Sequence, residues 1–377
     1  MADALVRVAV DVRGGYGREV VRGVSTFSRH LGRWVLHITP VTTTEELVRV
    51  LEERSDGLVV QGFGRRTTDR VAASGVPAVN VGDSQDGHAI PTVMSDHVQV
   101  GRLACEVFLE RGYRRLAFVT RVNQFYAERR LAGFSARAAE EGVSVQPFQY
   151  GQSDQADREL ASWLLRLPRP VGVMACDDGL ARLVSQLCRS RGLRVPDELA
   201  IIGVDNDEMV CELEEPPLSS VMTAGQTIGY EAAALLATLM AGEPAPPQPI
   251  QIPPIGVARR LSTDATASED PVVRAATAFI WHHATDPITI EDVAENVDVS
   301  RRGLEQRFAA SLGRSPIEVL RRARAERIQD MLVTTDLPLD RVAEACGLAD
   351  SASLSRFFRR ETGFTPSAYR RQARISR

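Results

Sequence analysis

Four acidic or amide side chains follow apolar segments of the sequence, at the points where strands would end. Asp96 comes after PTVMS, Asp177 after VGVMAC, and Asp205 with Asn206 after AIIGV. Open α/β folds bind ligands beyond the carboxyl ends of their strands, so these residues are predicted to face one cleft. Tyr16 stands in the first strand-to-helix turn, where an aromatic ring can lie against a ligand. Carboxylates beside an aromatic ring suit a ligand with paired hydroxyl groups, such as a sugar.

The adjacent carboxylates Asp177 and Asp178 raise the alternative of a carbohydrate-active enzyme, because glycosidases use two carboxylates. Neighbouring residues at the start of a helix point apart, however, which does not suit a catalytic pair. The chain also has neither a G-x-S-x-G nucleophile motif nor a phosphate-binding loop. The sequence therefore favours binding over catalysis, and Asp178 is expected to cap the helix that follows it.

The spacing of cysteine and histidine predicts neither a metal site nor a cofactor. The five cysteines contain no C-x-x-C pair, which is typical of buried reduced thiols in a cytoplasmic protein. His282 and His283 have no further ligands at a suitable spacing, so both are expected to be structural.

The arginines near the end of the chain indicate a second kind of binding. The 377-residue protein has a formal net charge of −4, and all 45 of its basic residues are arginine. From Val299 onward there are 16 arginines and nine acidic residues. A basic tail on an acidic body indicates a nucleic-acid module attached to another domain.

The elements that must position these residues differ between the two parts of the chain. Residues 1–260 alternate strand and helix patterns, from VRVAVDV and GREVVRGVSTFSRHL to ELAIIGVDND. Such alternation predicts parallel sheets with helices on both faces, and this length suffices for two sheets. Residues 261–270 are small and polar and are predicted to form a flexible linker. Only helical patterns follow, from 271 to 377.

Two segments of the C-terminal part, 288–316 and 337–366, repeat one pattern. Each has a short helix containing VAE, a tight turn, and a second helix with a phenylalanine, followed by Gly and Pro. This is the order of a helix-turn-helix unit. SRRGLEQRF, VAEACGL and SRFFRRETGFTPSAYR resemble the DNA-binding domain of AraC-type transcription regulators. The resemblance implies an all-α domain with two helix-turn-helix units joined by the helix IEVLRRARAERIQDML.

The resemblance to AraC-type regulators also implies which residues contact DNA. The second helix of each unit would enter the major groove, where side chains read base edges while arginines neutralise phosphates. Arg356 is the expected base reader of the second unit, and Arg359 and Arg360 are expected on the phosphate backbone. The residues implied to contact DNA are Arg301, Arg302, Gln306, Ser351, Arg356, Arg359 and Arg360.

Residues 1–260 resemble the effector-binding domain of LacI/GalR-type repressors, a two-lobed α/β fold similar to type I periplasmic binding proteins. TVMSDHVQVGRLA, RRLAGFSARAAEEG, VMACDDGLA and IIGVDNDE carry this resemblance. It places Arg130, within RRLAGF, on the sugar-contacting arginine of that family. A LacI-like sensor followed by an AraC-type reader resembles the regulators of xylose operons, which implies a pentose effector and activation of transcription.

The two resemblances together imply a sugar-responsive, sequence-specific transcription regulator. The expected partners are double-stranded operator DNA, a small sugar, a second copy of the chain and RNA polymerase. Because the sequence shows no signal peptide and no run of eighteen apolar residues, a cytoplasmic, nucleoid-associated protein without membrane contact is expected. An exported binding protein is an alternative that the DNA-binding module disfavours. The sequence leaves open which sugar is the effector, which operator is read, and whether transcription is activated or repressed.

Overall fold

The computed structural model describes residues 4–62, 64–83, 89–265, 267–268 and 270–375. Strands and helices alternate through the first part, and helices alone follow. The strands are β1 (Ala4–Val10), β2 (Trp34–Pro40), β3 (Gly57–Val60), β4 (Ala78–Asn80), β5 (Val93–Ser95), β6 (Leu116–Arg121), β7 (Val145–Tyr150), β8 (Val171–Ala175), β9 (Leu199–Val204), β10 (Ser219–Met222), β11 (Ile250–Ile252) and β12 (Gly256–Ala258). The helices of this part are α1 (Gly15–Leu31), α2 (Thr44–Leu51), α3 (Arg65–Ala73), α4 (His97–Glu110), α5 (Phe125–Glu140), α6 (Ala156–Arg166), α7 (Asp178–Ser190), α8 (Glu208–Cys211) and α9 (Gly225–Met240). A 3₁₀ turn, Leu261–Thr263, follows β12.

The strands form two large sheets, one in each lobe of the sensor, and β5 and β11 form a third, two-stranded sheet. The first lobe has the parallel order β2-β1-β3-β4, and the second has the order β12-β10-β9-β8-β6-β7 with only β12 antiparallel. β3 and β9 are buried along their whole length, because helices cover both faces of each sheet. The chain crosses between the lobes three times, after β5, between β10 and α9, and after β11. β5 and β11 pair with each other and are called the hinge here. These sheets confirm the predicted two-lobed α/β sensor.

Glycines allow the helix pair that frames the cleft to approach closely. A Cβ atom on Gly101 of α4 would lie 1.9 Å from the carbonyl oxygen of Arg130, and one on Gly133 of α5 would lie 2.0 Å from that of Val98. Only glycine fits at these two crossing points. The close approach sets the start of α4 beside the Arg130 side chain.

The C-terminal domain, from Pro271 to Ile375 and called the reader here, consists of helices alone and contains two copies of one unit. The helices are α10 (Pro271–His282), α11 (Ile290–Asn296), α12 (Arg301–Leu312), α13 (Pro316–Thr334), α14 (Leu339–Ala345), α15 (Ser351–Thr362) and α16 (Pro366–Ile375). α11 and α12 form the first unit, α14 and α15 form the second, and α13 connects them. Phe308 and Phe358 are fully buried at matching positions in two separate cores. Thr289 caps α11 in a capping box with Asp292.

Part of the segment 261–270, which the sequence predicts as a flexible linker, packs on the second lobe. Ser262 and Thr263 are fully buried against the second lobe. The Ser262 hydroxyl donates to the carbonyl of Ile201 at 2.6 Å and accepts from the backbone N–H of Ser219 at 2.8 Å. The small polar side chains that suggest a flexible linker are therefore the groups that bind this segment to the sheet.

Three absences hold for the part of the chain that the structure describes. None of its helices is long and apolar enough to cross a membrane. His, Cys, Asp and Glu side chains do not gather in threes that could hold a metal ion. Its five cysteines are all buried and all free of disulfide bonds.

Candidate functional site

Arg130 lies buried at the carboxyl ends of β8 and β9. Its guanidinium donates to the carbonyl of Cys176, directly after β8, and lies 3.5 Å from a carboxylate oxygen of Asp205, directly after β9. Its Nε is 3.4 Å from Nδ1 of His97, and its charge lies over the ring of Tyr126 at 4.9 Å. Partners on three elements therefore fix the orientation of this side chain.

Asp205 supplies the carboxylate that faces Arg130. The backbone at this residue has a φ of 102°, a conformation that few non-glycine residues adopt and that often marks a functional site. One oxygen accepts a hydrogen bond from the hydroxyl of Thr223 at 3.2 Å. Burial raises the pKa of Asp205, while the charge of Arg130 opposes that rise. The pair can thus offer both a donor and an acceptor to a hydroxyl-bearing ligand.

Tyr16 faces this pair from the first lobe. Its hydroxyl donates to the carbonyl of Val81 at 2.6 Å. Burial raises the pKa of Tyr16, and the charge of Asp205 raises it further. The two lobes also touch nearby, where Arg18 of α1 pairs with Asp207 at 2.7 Å. The cleft is therefore closed at this edge.

Asp177, rather than the expected Asp178, caps α7. The Asp177 carboxylate accepts from the backbone N–H of Leu180 at 2.8 Å and from two nitrogens of Arg121 at 2.7 and 3.1 Å. Asp178 is buried instead, and it accepts from the hydroxyl of Ser220 and from a backbone N–H. The expectation for Asp178 was wrong because its side chain points into the protein and supports the loop after β9.

The two remaining candidates of the cleft differ in what their side chains do. Asp96 caps α4 by accepting from the backbone N–H of Gln99 at 3.0 Å, and its own N–H donates to Ile252 in the hinge. Asn206 has a φ of 52°, and its backbone N–H donates to Ser220. Within the described residues, the buried Oδ1 of Asn206 has no hydrogen-bond donor. A ligand hydroxyl in the cleft would satisfy that oxygen.

The structure adds cleft residues that the sequence reasoning missed. Arg121 and Tyr126 contact Asp177, and His97 lies 3.8 Å from Asp83. Burial lowers the pKa of His97 well below its usual range, so its imidazole is neutral. Arg121 ends β6 and Asp83 lies just beyond β4, so the rule that found Asp205 would also have found these two residues.

The first reader helix presents the predicted polar residues on its outer face. Arg302 and Gln306 are exposed, while Leu304 is buried on the opposite side. Arg301 is also exposed, and it pairs with Glu305 of the same helix at 2.9 Å and with Glu291 of α11. Arg301 must give up these carboxylates to meet a phosphate, whereas no such ion pair involving Arg302 is seen in the described part.

The second reader helix, α15, has the same division of faces. Arg356 and Arg359 are exposed, and Arg356 donates to the hydroxyl of Ser353 at 3.1 Å. Arg360 pairs with Glu361 at 2.9 Å and lies over the ring of Phe357. Ser351 begins the helix and is half-buried, with its N–H donating to Asp340 of α14. The structure thus places the predicted arginines on the outer faces of both reader helices.

Comparison with known proteins matches both parts of the chain. A periplasmic binding protein-like domain family matches residues 105–263, and a helix-turn-helix domain family matches residues 293–372. The chain is 29% identical to the xylose operon regulatory protein of Escherichia coli strain K12 over 368 residues, 94% of each chain. It is 30% identical to the protein of that name from Haemophilus influenzae over 330 residues, 84% of each chain. A solved structure of the xylose-binding transcription activator XylR matches 98% of both chains, with a TM-score of 0.65 and 27% identity.

Proposed function

Because the chain belongs to the family of xylose operon regulatory proteins, we propose that this sugar-responsive, DNA-binding transcription regulator detects D-xylose. The observation that carries the proposal is the pair of Arg130 and Asp205 at the carboxyl ends of β8 and β9, opposite Tyr16. A guanidinium donates to hydroxyl oxygens and a carboxylate accepts from hydroxyl hydrogens. Adjacent hydroxyls of a pentose can use both groups while its ring lies against the tyrosine.

Other polar residues extend this proposed sugar site on both sides of the pair. Asn206 offers an oxygen that has no hydrogen-bond donor among the described residues, and Arg121 is held by its ion pair with Asp177. Asp96 caps the helix that leaves the hinge, and we assign it the role of fixing the hinge end of the site. A sugar that touches both lobes favours the closed arrangement in which Arg18 pairs with Asp207, because it binds that arrangement more tightly.

We infer that α12 and α15 enter successive major grooves on one face of operator DNA. Arg302, Gln306 and Arg356 would read base edges, as their exposure and position near the starts of these helices support. Arg301, Arg359 and Arg360 would contact phosphates, and Ser351 would contact DNA at the start of α15. α13 holds the two readers about one helical turn of DNA apart, roughly 34 Å.

Assembly and the effect on transcription extend the same proposal. We propose a homodimer, since Met209 and Leu213 beyond β9 are 73% and 82% exposed and offer an apolar surface for a second copy. We also propose that the regulator activates transcription through contact with RNA polymerase. The solved structure of a xylose-binding relative is of a transcription activator, which supports this direction.

A thermal-shift series with pentoses and hexoses tests the choice of effector. A ligand that binds only the folded state raises the melting temperature, and at equal concentration the tighter ligand raises it more. D-xylose should raise the melting temperature of the full chain more than L-arabinose, D-ribose or D-glucose at equal concentration. A larger shift with one of the other sugars, or no shift with any, would reject D-xylose as the effector.

A further inference from the structure

Helix α4 connects the effector cleft to the reader domain. His97, its first residue, contacts Arg130 in the cleft, and Glu110, its last residue, is buried against the reader. Fourteen residues at 1.5 Å each give the helix a length of about 21 Å. Its close packing on α5 through Gly101 and Gly133 makes the two helices a stiff unit. A displacement of the cleft end of such a unit would also displace its reader end.

At the reader end, two acidic and two basic side chains meet across the boundary between sensor and reader. They form a charge cluster of Glu110, Arg259, Arg322 and Glu326. Arg259 lies 2.7 Å from Glu110 and 2.7 Å from Glu326 of α13. Arg322 of α13 pairs with both Glu110 and Glu326. Burial alone would raise the pKa of Glu110, but the charges of Arg259 and Arg322 lower it below its usual value. Glu110 therefore stays ionised inside this cluster.

The residues just after Glu110 contact two further helices of the reader domain, α10 and α12. The guanidinium of Arg111 lies over the indole of Trp281 in α10, 4.4 Å from the ring centroid. A Cβ atom on Gly112 would lie 2.4 Å from the side chain of Leu312, the last residue of reader helix α12. The end of α4 thus touches the connecting helix and one reader helix directly.

We propose that the charge cluster, placed at the end of α4, transmits effector binding from the cleft to the two reader helices. This inference rests on the proposed function and names its means of regulation. Sugar binding repositions His97 and Arg130, α4 shifts as a rigid element, and the cluster passes that shift to α13. Buried ion pairs favour well-defined arrangements, because charges removed from water need close partners. The joint between the domains is therefore expected to switch between discrete positions.

The coupling can be separated from both binding steps by changing the reader side of the cluster. Arg322→Met removes the pairs with Glu110 and Glu326 but keeps an apolar stem, and Arg322 is partly exposed, which lowers the risk of misfolding. Glu110→Gln keeps the size of the side chain and removes its charge, and it serves as a second, independent variant. Glu140→Gln is the matched control. It breaks the exposed pair between Glu140 of α5 and Arg102 of α4, the helix that ends in Glu110, at a point away from the reader.

The measurement uses full-length protein and a DNA duplex selected for binding from a random library. Calorimetry gives the affinity for D-xylose, and fluorescence anisotropy gives the affinity for the duplex with and without saturating D-xylose. The ratio of the two DNA affinities measures the coupling, and linkage requires the same ratio in the effect of DNA on sugar affinity.

Arg322→Met and Glu110→Gln should reduce the coupling ratio toward one, by about tenfold for a coupling of ordinary size, while the D-xylose affinity changes less than about threefold. Glu140→Gln should keep the wild-type ratio. A wild-type ratio in both cluster variants would overturn the inference about the cluster. A wild-type protein that binds no D-xylose, or whose DNA affinity ignores it, would instead overturn the proposed function on which the inference rests.

Discussion

The guanidinium of Arg130 and the carboxylate of Asp205 lie 3.5 Å apart, and each has other partners that fix its position. We expect Arg130→Ala and Asp205→Asn each to weaken D-xylose binding on the order of tenfold to a hundredfold. Hydrogen bonds to charged groups are worth roughly 1.5–3 kcal/mol, which corresponds to this loss. Titration calorimetry of each variant gives the affinity directly.

An exposed ion pair on the second lobe provides matched controls for these two variants. Arg194 and Asp197 are paired at 3.6 Å, and each side chain is 68% exposed. Arg194→Ala and Asp197→Asn should leave D-xylose affinity unchanged. Wild-type affinity in both Arg130→Ala and Asp205→Asn would show that the sugar binds elsewhere.

Asp178 makes the stability of the sensor depend on pH. Burial and the charge of Asp205 raise the pKa of Asp178 to about 8, whereas an unfolded aspartate titrates near 4. Between about pH 4 and pH 8 the folded chain keeps a proton that the unfolded chain has lost, so stability falls as pH rises. The slope contributed by this proton approaches about 1.4 kcal/mol per pH unit.

Asp178→Asn should remove that contribution, because an amide does not ionise in this range. Urea unfolding followed by circular dichroism between pH 5.5 and 8.5 compares the slopes of variant and wild type. We expect a flatter curve for Asp178→Asn and the wild-type curve for Asp197→Asn. A variant curve parallel to the wild-type curve would mean that Asp178 is ionised in the folded protein.

Their position after predicted strands led to the prediction of Asp177 and Asp205 as cleft residues, whereas the expectation that Asp178 caps α7 was wrong. Which of two adjacent carboxylates caps a helix depends on the backbone at the end of the strand. Asp177 is extended there, with φ −150° and ψ 166°, and this directs its side chain to Leu180. Asp178 then meets Ser220, which arrives from a strand more than forty residues later. Only the assembled sheet brings that hydroxyl into place.

Arg356 and Arg360 lie on the same reader helix, α15, and are expected to act differently. Arg356 is one turn into the helix and exposed, whereas Arg360 lies one turn later and over Phe357. Arg356→Ala should weaken the free energy of binding to the selected duplex by about 1–3 kcal/mol. It should also relax discrimination between bases at one or two base-pair positions. Arg360→Ala should weaken selected and scrambled duplexes alike and make the salt dependence shallower by about one unit.

Salt titrations of both variants on the two duplexes make this comparison. Arg341→Ala serves as the control, because Arg341 lies on α14, 68% exposed and paired with Glu344. Equal loss of affinity on both duplexes in Arg356→Ala would make α15 a phosphate clamp rather than a sequence reader.

Helix patterns predicted the reader well, because its signals are local. Capping residues, apolar spacing and the glycine after each reader helix all lie within one unit, and Gly313 and Gly363 adopt the positive φ that ends those helices. The inner face of α10 shows the limit of such patterns. Val273, Ala276 and Ile280 of α10 are buried while Val272 and Phe279 are only partly buried, because α10 packs against α12 and α13, contacts that no local pattern contains.

The joint between sensor and reader was not predictable from the sequence. Glu110 and Arg259 are separated by 149 residues and come together only when α4 and β12 pack side by side. Glu326 reaches them from the other domain. Ser262, inside the predicted linker, likewise finds its partner Ile201 on a distant strand. Composition shows that such a segment is small and polar, but tertiary contacts decide whether it packs against a domain.

The affinity of the full-length chain for its selected duplex, measured by anisotropy with and without saturating D-xylose, tests the central claim most directly. A ligand-controlled regulator must show different affinities in the two conditions, since the sugar acts only by favouring one arrangement of the protein. We predict a change of about fivefold or more with D-xylose and none with an equal concentration of D-glucose. Identical binding curves with and without D-xylose, from a protein that calorimetry shows to be saturated with the sugar, would contradict the account.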